Sequence, residues 1–198
     1  MLALALALQI AAVTGTSTDS VLATARNFVR ISDRLATSGQ IYADHIAAIA
    51  EEGFEVVVNL APADSQRNGR EGFLVAEQGM TYINIPVSWQ APTREHLALF
   101  LSVMEANRDR KVFVHCFANM RASAFTYLYR TLVEGVNADD ARKDMLAVWD
   151  PASDERWRQW DRLIRTRRRG RRCAEVPPSS LSPLPSPLSP LSSFLFPL

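Results

Sequence analysis

Val112-Phe113-Val114-His115-Cys116-Phe117-Ala118-Asn119-Met120-Arg121-Ala122-Ser123 is the stretch on which the fold turns. Val112, Phe113 and Val114 form a short, wholly apolar run, the pattern of a strand buried on both faces. From 121 to 133 the period becomes helical, with Phe125, Leu128, Tyr129 and Leu132 spaced for one buried face. A cysteine therefore closes a buried strand, and an arginine five residues later opens a helix. Backbone amides of a tight loop at such a junction converge on one point, and the helix N-terminus adds partial positive charge. A nest of this kind binds a tetrahedral oxyanion. Its field also favours the thiolate of a cysteine at its centre, which is the attacking form. Arg121 offers a planar, bidentate fork for the oxygens of the bound group. Cys116 and Arg121 are thus the candidate catalytic pair. Phe117, Ala118, Asn119, Met120, Arg121 and Ser123 are the candidate phosphate-binding residues, with Ser123 expected to hydrogen-bond the sulfur and ease its departure.

Outward from this loop, strands and helices alternate. Residues 27–32 read as a strand, and 35–40 follow it with turn chemistry at Ser38-Gly39. Residues 41–52 read as a helix with Ile46, Ile49 and Ala50 on one face, stopped by Gly53 in the left-handed conformation. The β-branched run 54–60 is a buried strand, 72–79 a short helix, and 80–87 a second strand ended by Pro86 and Trp89-Gln90-Ala91-Pro92. Thr93 caps a helix running to 107, with Leu97, Phe100, Leu101 and Met104 as its apolar stripe. Asn137 caps another, with Asp139 and Asp140 in its positive first turn. Residues 151–165 read as a closing helix with Trp157 and Trp160 turned inward. This order predicts an α/β fold, a three-layer domain with a mostly parallel central sheet flanked by helices.

Residues 112–116 with Arg121-Ala122-Ser123 resemble the active-site signature of the protein tyrosine and dual-specificity phosphatase superfamily. Upstream, Arg30-Ile31-Ser32-Asp33-Arg34-Leu35-Ala36-Thr37-Ser38-Gly39-Gln40 and Gly53-Phe54-Glu55-Val56-Val57-Val58-Asn59-Leu60 resemble the bacterial DUF442, or beta-lactamase-hydrolase-like, branch. The resemblance runs from Asn27 to Trp160. It implies a phosphatase-like fold and cysteine-dependent hydrolysis of a phosphate monoester through a phosphocysteine. It also implies a phosphorylated small molecule or protein as substrate, and no cofactor. Two departures from the family pattern matter. The loop is His-Cys-x4-Arg rather than His-Cys-x5-Arg, and the usual loop glycine is missing; Asn119, which tolerates the left-handed conformation, stands as its replacement. Six residues is also the loop length of rhodanese-like sulfurtransferases, so a Cys116 persulfide enzyme stays open as an alternative. Second, the family places an aspartate before the cysteine strand to protonate the leaving oxygen. The loop 87–92 has no carboxylate, and Asp64 and Glu95 are the nearest candidates. A pseudophosphatase that binds anionic ligands without turnover is the further alternative.

The remaining features set boundaries. The chain has 198 residues, 47% hydrophobic and 22% charged, as in a soluble globular domain. A net charge of +1 supplies no global field toward nucleic acid. The 2 cysteines, Cys116 and Cys173, make no disulfide framework, and the spacing of His45 and His96 predicts no metal site. The apolar run 1–12 is too short to span a bilayer, but it has the length of a signal-peptide core, with small residues following at Gly15 and Ser17. The expected organisation is a leader over 1–15, a catalytic domain over 20–165, and a basic, then Pro/Ser/Leu-rich disordered tail over 166–198. A leader predicts a periplasmic or secreted protein. The alternative is an apolar N-terminal helix packed on a cytoplasmic domain. His115 is expected to be a structural hydrogen-bond partner for the loop rather than a general base, and Trp89 to anchor its own loop on the core.

Overall fold

The computed structural model describes residues 18–165; the expected leader and tail lie outside them. Five strands form one sheet: β1 Val29–Ser32, β2 Leu35–Ser38, β3 Val56–Asn59, β4 Thr81–Asn84 and β5 Val112–His115, in the order β1-β2-β5-β3-β4. The pairings β2–β5, β5–β3 and β3–β4 are parallel, and β1 adds an antiparallel edge to β2. The helices are α1 Thr18–Leu22, α2 Ala43–Glu51, α3 Glu71–Glu77, α4 Arg94–Ala106, α5 Met120–Leu132, α6 Ala138–Leu146 and α7 Arg158–Arg165.

Side chains alternate across each strand, so neighbouring residues feed opposite layers. Val56, Val58, Val112 and Val114 pack with Phe100, Phe125 and Trp160 on one face. Val57, Phe113 and Ala36 pack with Leu22, Ile46 and Ile49 on the other. Both faces are covered by helices, giving the expected three layers. Ser38, His115 and Asn59 are aligned by register at the strands' C-terminal ends. In open α/β sheets the ligand site lies outside this edge.

The local signals account for the helix ends. Thr93 accepts from the amide of His96 and Asn137 from that of Asp139, while Gly53 adopts φ +77°. Two expectations need correction, and one element was not anticipated. The closing helix does not start at Pro151. Asp154 accepts from the amide of Arg156 and begins a single 3-10 turn, Glu155–Trp157, after which α7 runs from Arg158. Trp160 is buried there and Trp157 only half-buried. Nor does α5 bury one face. It is enclosed from Arg121 to Tyr129, while Leu132 at its end is 42% exposed. The helix passes between the sheet and helices α4, α6 and α7, so beyond Met120 its first turns are buried on every side. Finally, α1 falls in a stretch given no structure above, and its Leu22 is fully buried. Among the described residues, no helix is long and apolar enough to cross a membrane.

Candidate active site

Cys116 follows the last residue of β5 and is fully buried. Its amide donates to Ser38 O at 3.3 Å. One step on, Gln40 N donates to Phe117 O at 3.3 Å, and Ala118 bridges Gly39. The Ser38-Gly39-Gln40 turn therefore forms one wall of the reactive loop. Gly39 is required there for space. A Cβ would lie 2.9 Å from both Arg26 Cβ and Arg26 O, and 3.2 Å from Phe117 O.

Asn119 sits at φ +63°, as expected for a residue replacing the loop glycine. Its side chain is turned back from α5: Nδ2 donates to Asn27 O at 2.6 Å and to Thr37 Oγ1 at 3.0 Å. Asn27, itself at φ +52°, returns a bond from its Nδ2 to Ala118 O at 3.0 Å. This reciprocal clasp has a consequence for α5. An asparagine at the N-cap ordinarily accepts from a first-turn amide, but here no side chain caps the helix. Its first-turn amides have no intrahelical acceptor and are left to an incoming anion.

Arg121, in the first turn of α5, is 8% exposed. Its Nε donates to Val87 O at 2.9 Å, and its guanidinium lies 5.4 Å from the centroid of the Trp89 ring. The Nη end of the fork has no hydrogen-bond partner among the described residues. All four tryptophans stand behind this contact. Trp89 packs on Trp149 and Trp160 at 5.5 and 5.1 Å, and Trp149 packs on Trp157 at 5.3 Å. Trp89 O accepts from Trp160 Nε1 at 2.9 Å. Ser123 is drawn into the same assembly. Its hydroxyl proton goes to Met120 O at 3.3 Å, and its oxygen accepts from Trp149 Nε1 at 3.2 Å. Its one donor is directed to a backbone carbonyl rather than to the sulfur. Phe117, Ala118 and Met120 are half-buried on the loop.

Glu71, the first residue of α3, was not singled out by the sequence, and it lies beneath the loop. The residue is 4% exposed. Its Oε1 accepts from Asn59 Nδ2 at 2.8 Å and Tyr82 Oη at 3.0 Å, and its Oε2 from Gln40 Nε2 at 3.0 Å. His115 Nε2 lies 2.9 Å from Oε1, off the direction of a well-formed hydrogen bond. A buried carboxylate needs such donors to stay in place. Gln40 thereby links the loop wall to α3. His115, expected to hydrogen-bond the loop, makes no hydrogen bond through either ring nitrogen among the described residues, and is held by burial at the end of β5. Burial pushes the Tyr82 phenol well up from its ordinary value, and the Glu71 charge adds to this.

The two carboxylates nearest in sequence make poor proton donors. Asp64 Oδ1 is occupied by the amides of Gln66 and Arg67. Glu95 is held below the usual carboxylate range by its own backbone amide and then by the Thr93 hydroxyl, so it is ionised at neutral pH. Among the described residues, no three His, Cys, Asp or Glu side chains are grouped to hold a metal ion.

A strand–cysteine–loop–helix centre at the C-terminal edge of a mostly parallel sheet defines a phosphatase-like α/β domain. Residues 12–160 match the family described as a DSP-PTPase phosphatase fused to NAD+ kinase, and the chain belongs to that family. Among solved structures, it resembles a DUF442 phosphatase-like protein of Shewanella putrefaciens CN-32. The identity is 31% over 72% of this chain and 88% of that one, with a TM-score of 0.64. It shares its fold with TpbA of P. aeruginosa, at 19% identity over 71% of this chain and 84% of that one, with a TM-score of 0.57. No curated protein sequence matches the chain.

Proposed function

We propose that the chain is a cysteine-dependent phosphatase acting on phosphate monoesters of small molecules. The observation that carries this reading is the N-terminus of α5, left without a side-chain cap between Cys116 and the anchored fork of Arg121. Its amides and the guanidinium hold the non-bridging oxygens of the ester. The Cys116 sulfur attacks phosphorus opposite the ester oxygen. As the S–P bond forms, the P–O bond breaks, and the leaving oxygen takes the electron pair. A water then attacks the phosphocysteine, releasing phosphate and restoring the thiolate. The loop 87–92 offers no carboxylate, so the leaving oxygen draws its proton from solvent. This forfeits the general-acid contribution of roughly 10²–10⁴-fold and favours esters with good leaving groups. The fusion of family members to an NAD+ kinase supports a small-molecule ester over a phosphoprotein.

The test is a parallel assay of one sample with p-nitrophenyl phosphate and with thiosulfate plus cyanide. Slow phosphate release is expected, abolished in Cys116→Ser and reduced roughly 10²–10³-fold in Arg121→Ala. Thiosulfate turnover without phosphate release would replace this reading with a persulfide enzyme. Anion binding without either turnover would make the chain a binding domain.

A further inference from the structure

Beside the reactive loop lies a second concavity that none of the steps above uses. It has a volume of about 320 Å³, within the range of small-molecule sites. Phe117, the residue after Cys116, forms one side of it. Arg26 and Arg67 supply two positive charges, and no carboxylate is among the lining residues. The Arg26 side chain makes no ion pair among the described residues. Its stem stands across Gly39 from the Phe117 carbonyl, so the cavity and the loop share a wall. Arg67 lies over the Phe117 ring, 4.8 Å from its centroid. It meets Asp64 at 3.6 Å in a pair whose side chains are 60% and 35% exposed. A pair that open to water contributes little and yields readily to a ligand anion.

The polar groups between the arginines are held in place by hydrogen bonds. The Tyr42 amide donates to His45 Nδ1 at 3.1 Å, which places the ring proton on Nε2. That nitrogen faces Thr24 Oγ1 at 2.9 Å, and Thr24 sends its own proton to Val21 O at 2.7 Å. The cavity's permanent charge comes from the two arginines. Gln40, 9% exposed, also lines the cavity. Its Nε2 is committed to Ile41 O, Arg67 O and Glu71 Oε2. This fixes the orientation of the amide and leaves Oε1 buried without a partner. The site thus presents two guanidinium groups beside a wall that Gln40 holds rigid.

We infer that this cavity binds a second phosphate of the substrate, so that the preferred ester is a small-molecule bisphosphate with one phosphate in the reactive loop and the other between Arg26 and Arg67. This rests on the phosphatase reading of the loop. Binding energy from a remote phosphate orients the reacting one, which matters most at a centre with no carboxylate to protonate the leaving oxygen.

The test uses matched ligands and the Cys116→Ser chain, so that binding is read without turnover. Adenosine 2′,5′-bisphosphate is titrated against adenosine 2′-monophosphate, and fructose 1,6-bisphosphate against fructose 6-phosphate, by calorimetry. In at least one pair the bisphosphate is expected to bind roughly tenfold tighter or more. Adding Arg26→Ala and Arg67→Ala together should bring that ratio to about one. Equal affinities in both pairs, or an advantage that survives the double substitution, would overturn the inference. Wild-type hydrolysis of p-nitrophenyl phosphate is measured alongside. Hydrolysis with equal affinities leaves the phosphatase reading standing and removes the second site. A bisphosphate advantage lost in the double variant, without hydrolysis, keeps the site and removes the phosphatase reading.

Discussion

Tyr82 and Glu71 show how much of the site rests on single side chains beyond its signature. The Tyr82 hydroxyl donates to a buried carboxylate, so the fold holds the phenol in its neutral form. Because its folded pKa is raised, the stability it confers is fully present below the ordinary tyrosine value of about 10 and is lost as pH climbs beyond it. Tyr82→Phe should lower stability at pH 7 by about 1–2 kcal/mol, the cost of leaving the carboxylate one donor short. It should also flatten the alkaline limb of a Tm-against-pH curve. Equal alkaline slopes in the two proteins would show that another group titrates there. The contrast with Asn119 explains what a sequence displays. A left-handed loop position has a local chemical preference, so Asn119 is legible beside its missing glycine. Glu71 is not. A glutamate opening a short helix reads as a solvated charge until the turn after β2, the ends of β3 and β5, and β4 bring Gln40, Asn59, His115 and Tyr82 around it.

Among the elements, the turn after β2 and the start of α5 act as one unit. Gly39→Ala tests this. The added methyl meets backbone and stem atoms of Arg26 and the Phe117 carbonyl, and none of these is the free end of a flexible chain. Overpacking of this kind costs about 1–3 kcal/mol. The strain should also part the loop from its wall, so the variant should lose aryl-phosphate turnover at temperatures where it remains folded by circular dichroism. Retained turnover at unchanged Tm would mean the wall gives way harmlessly. Helix ends set by their own residues, such as Thr93, Asn137 and Gly53, were legible from sequence. The burial of α5 was not, because an apolar stripe predicts one covered face and cannot register a helix enclosed by three others. Its small residues Ala122, Ser123 and Ala124 were the available signal. The late start of α7 has a local cause: Asp154 is a better cap than Pro151 is a first turn.

At the scale of the molecule, two apolar clusters on opposite faces of the sheet draw on residues from Leu22 to Leu163. Removing residues 168–198 should therefore move Tm by less than roughly 2 °C. A large drop would show that the removed residues pack on the domain. The layered α/β plan was readable because each buried strand and each capped helix announces itself within a few residues. The cavity beside Phe117 was not, since its walls come from distant segments. The same separation governs how the site comes into being. Asn27 and Asn119 clasp across a sequence separation of 92 residues, a closure whose entropic cost is met only after the strands between them have paired. The reactive loop should thus be among the last features to form. During refolding, far-UV ellipticity should recover ahead of anion affinity, and a chain released before the clasp closes should carry its cysteine without its anion nest. Simultaneous recovery of both signals would place the clasp in the folding nucleus instead.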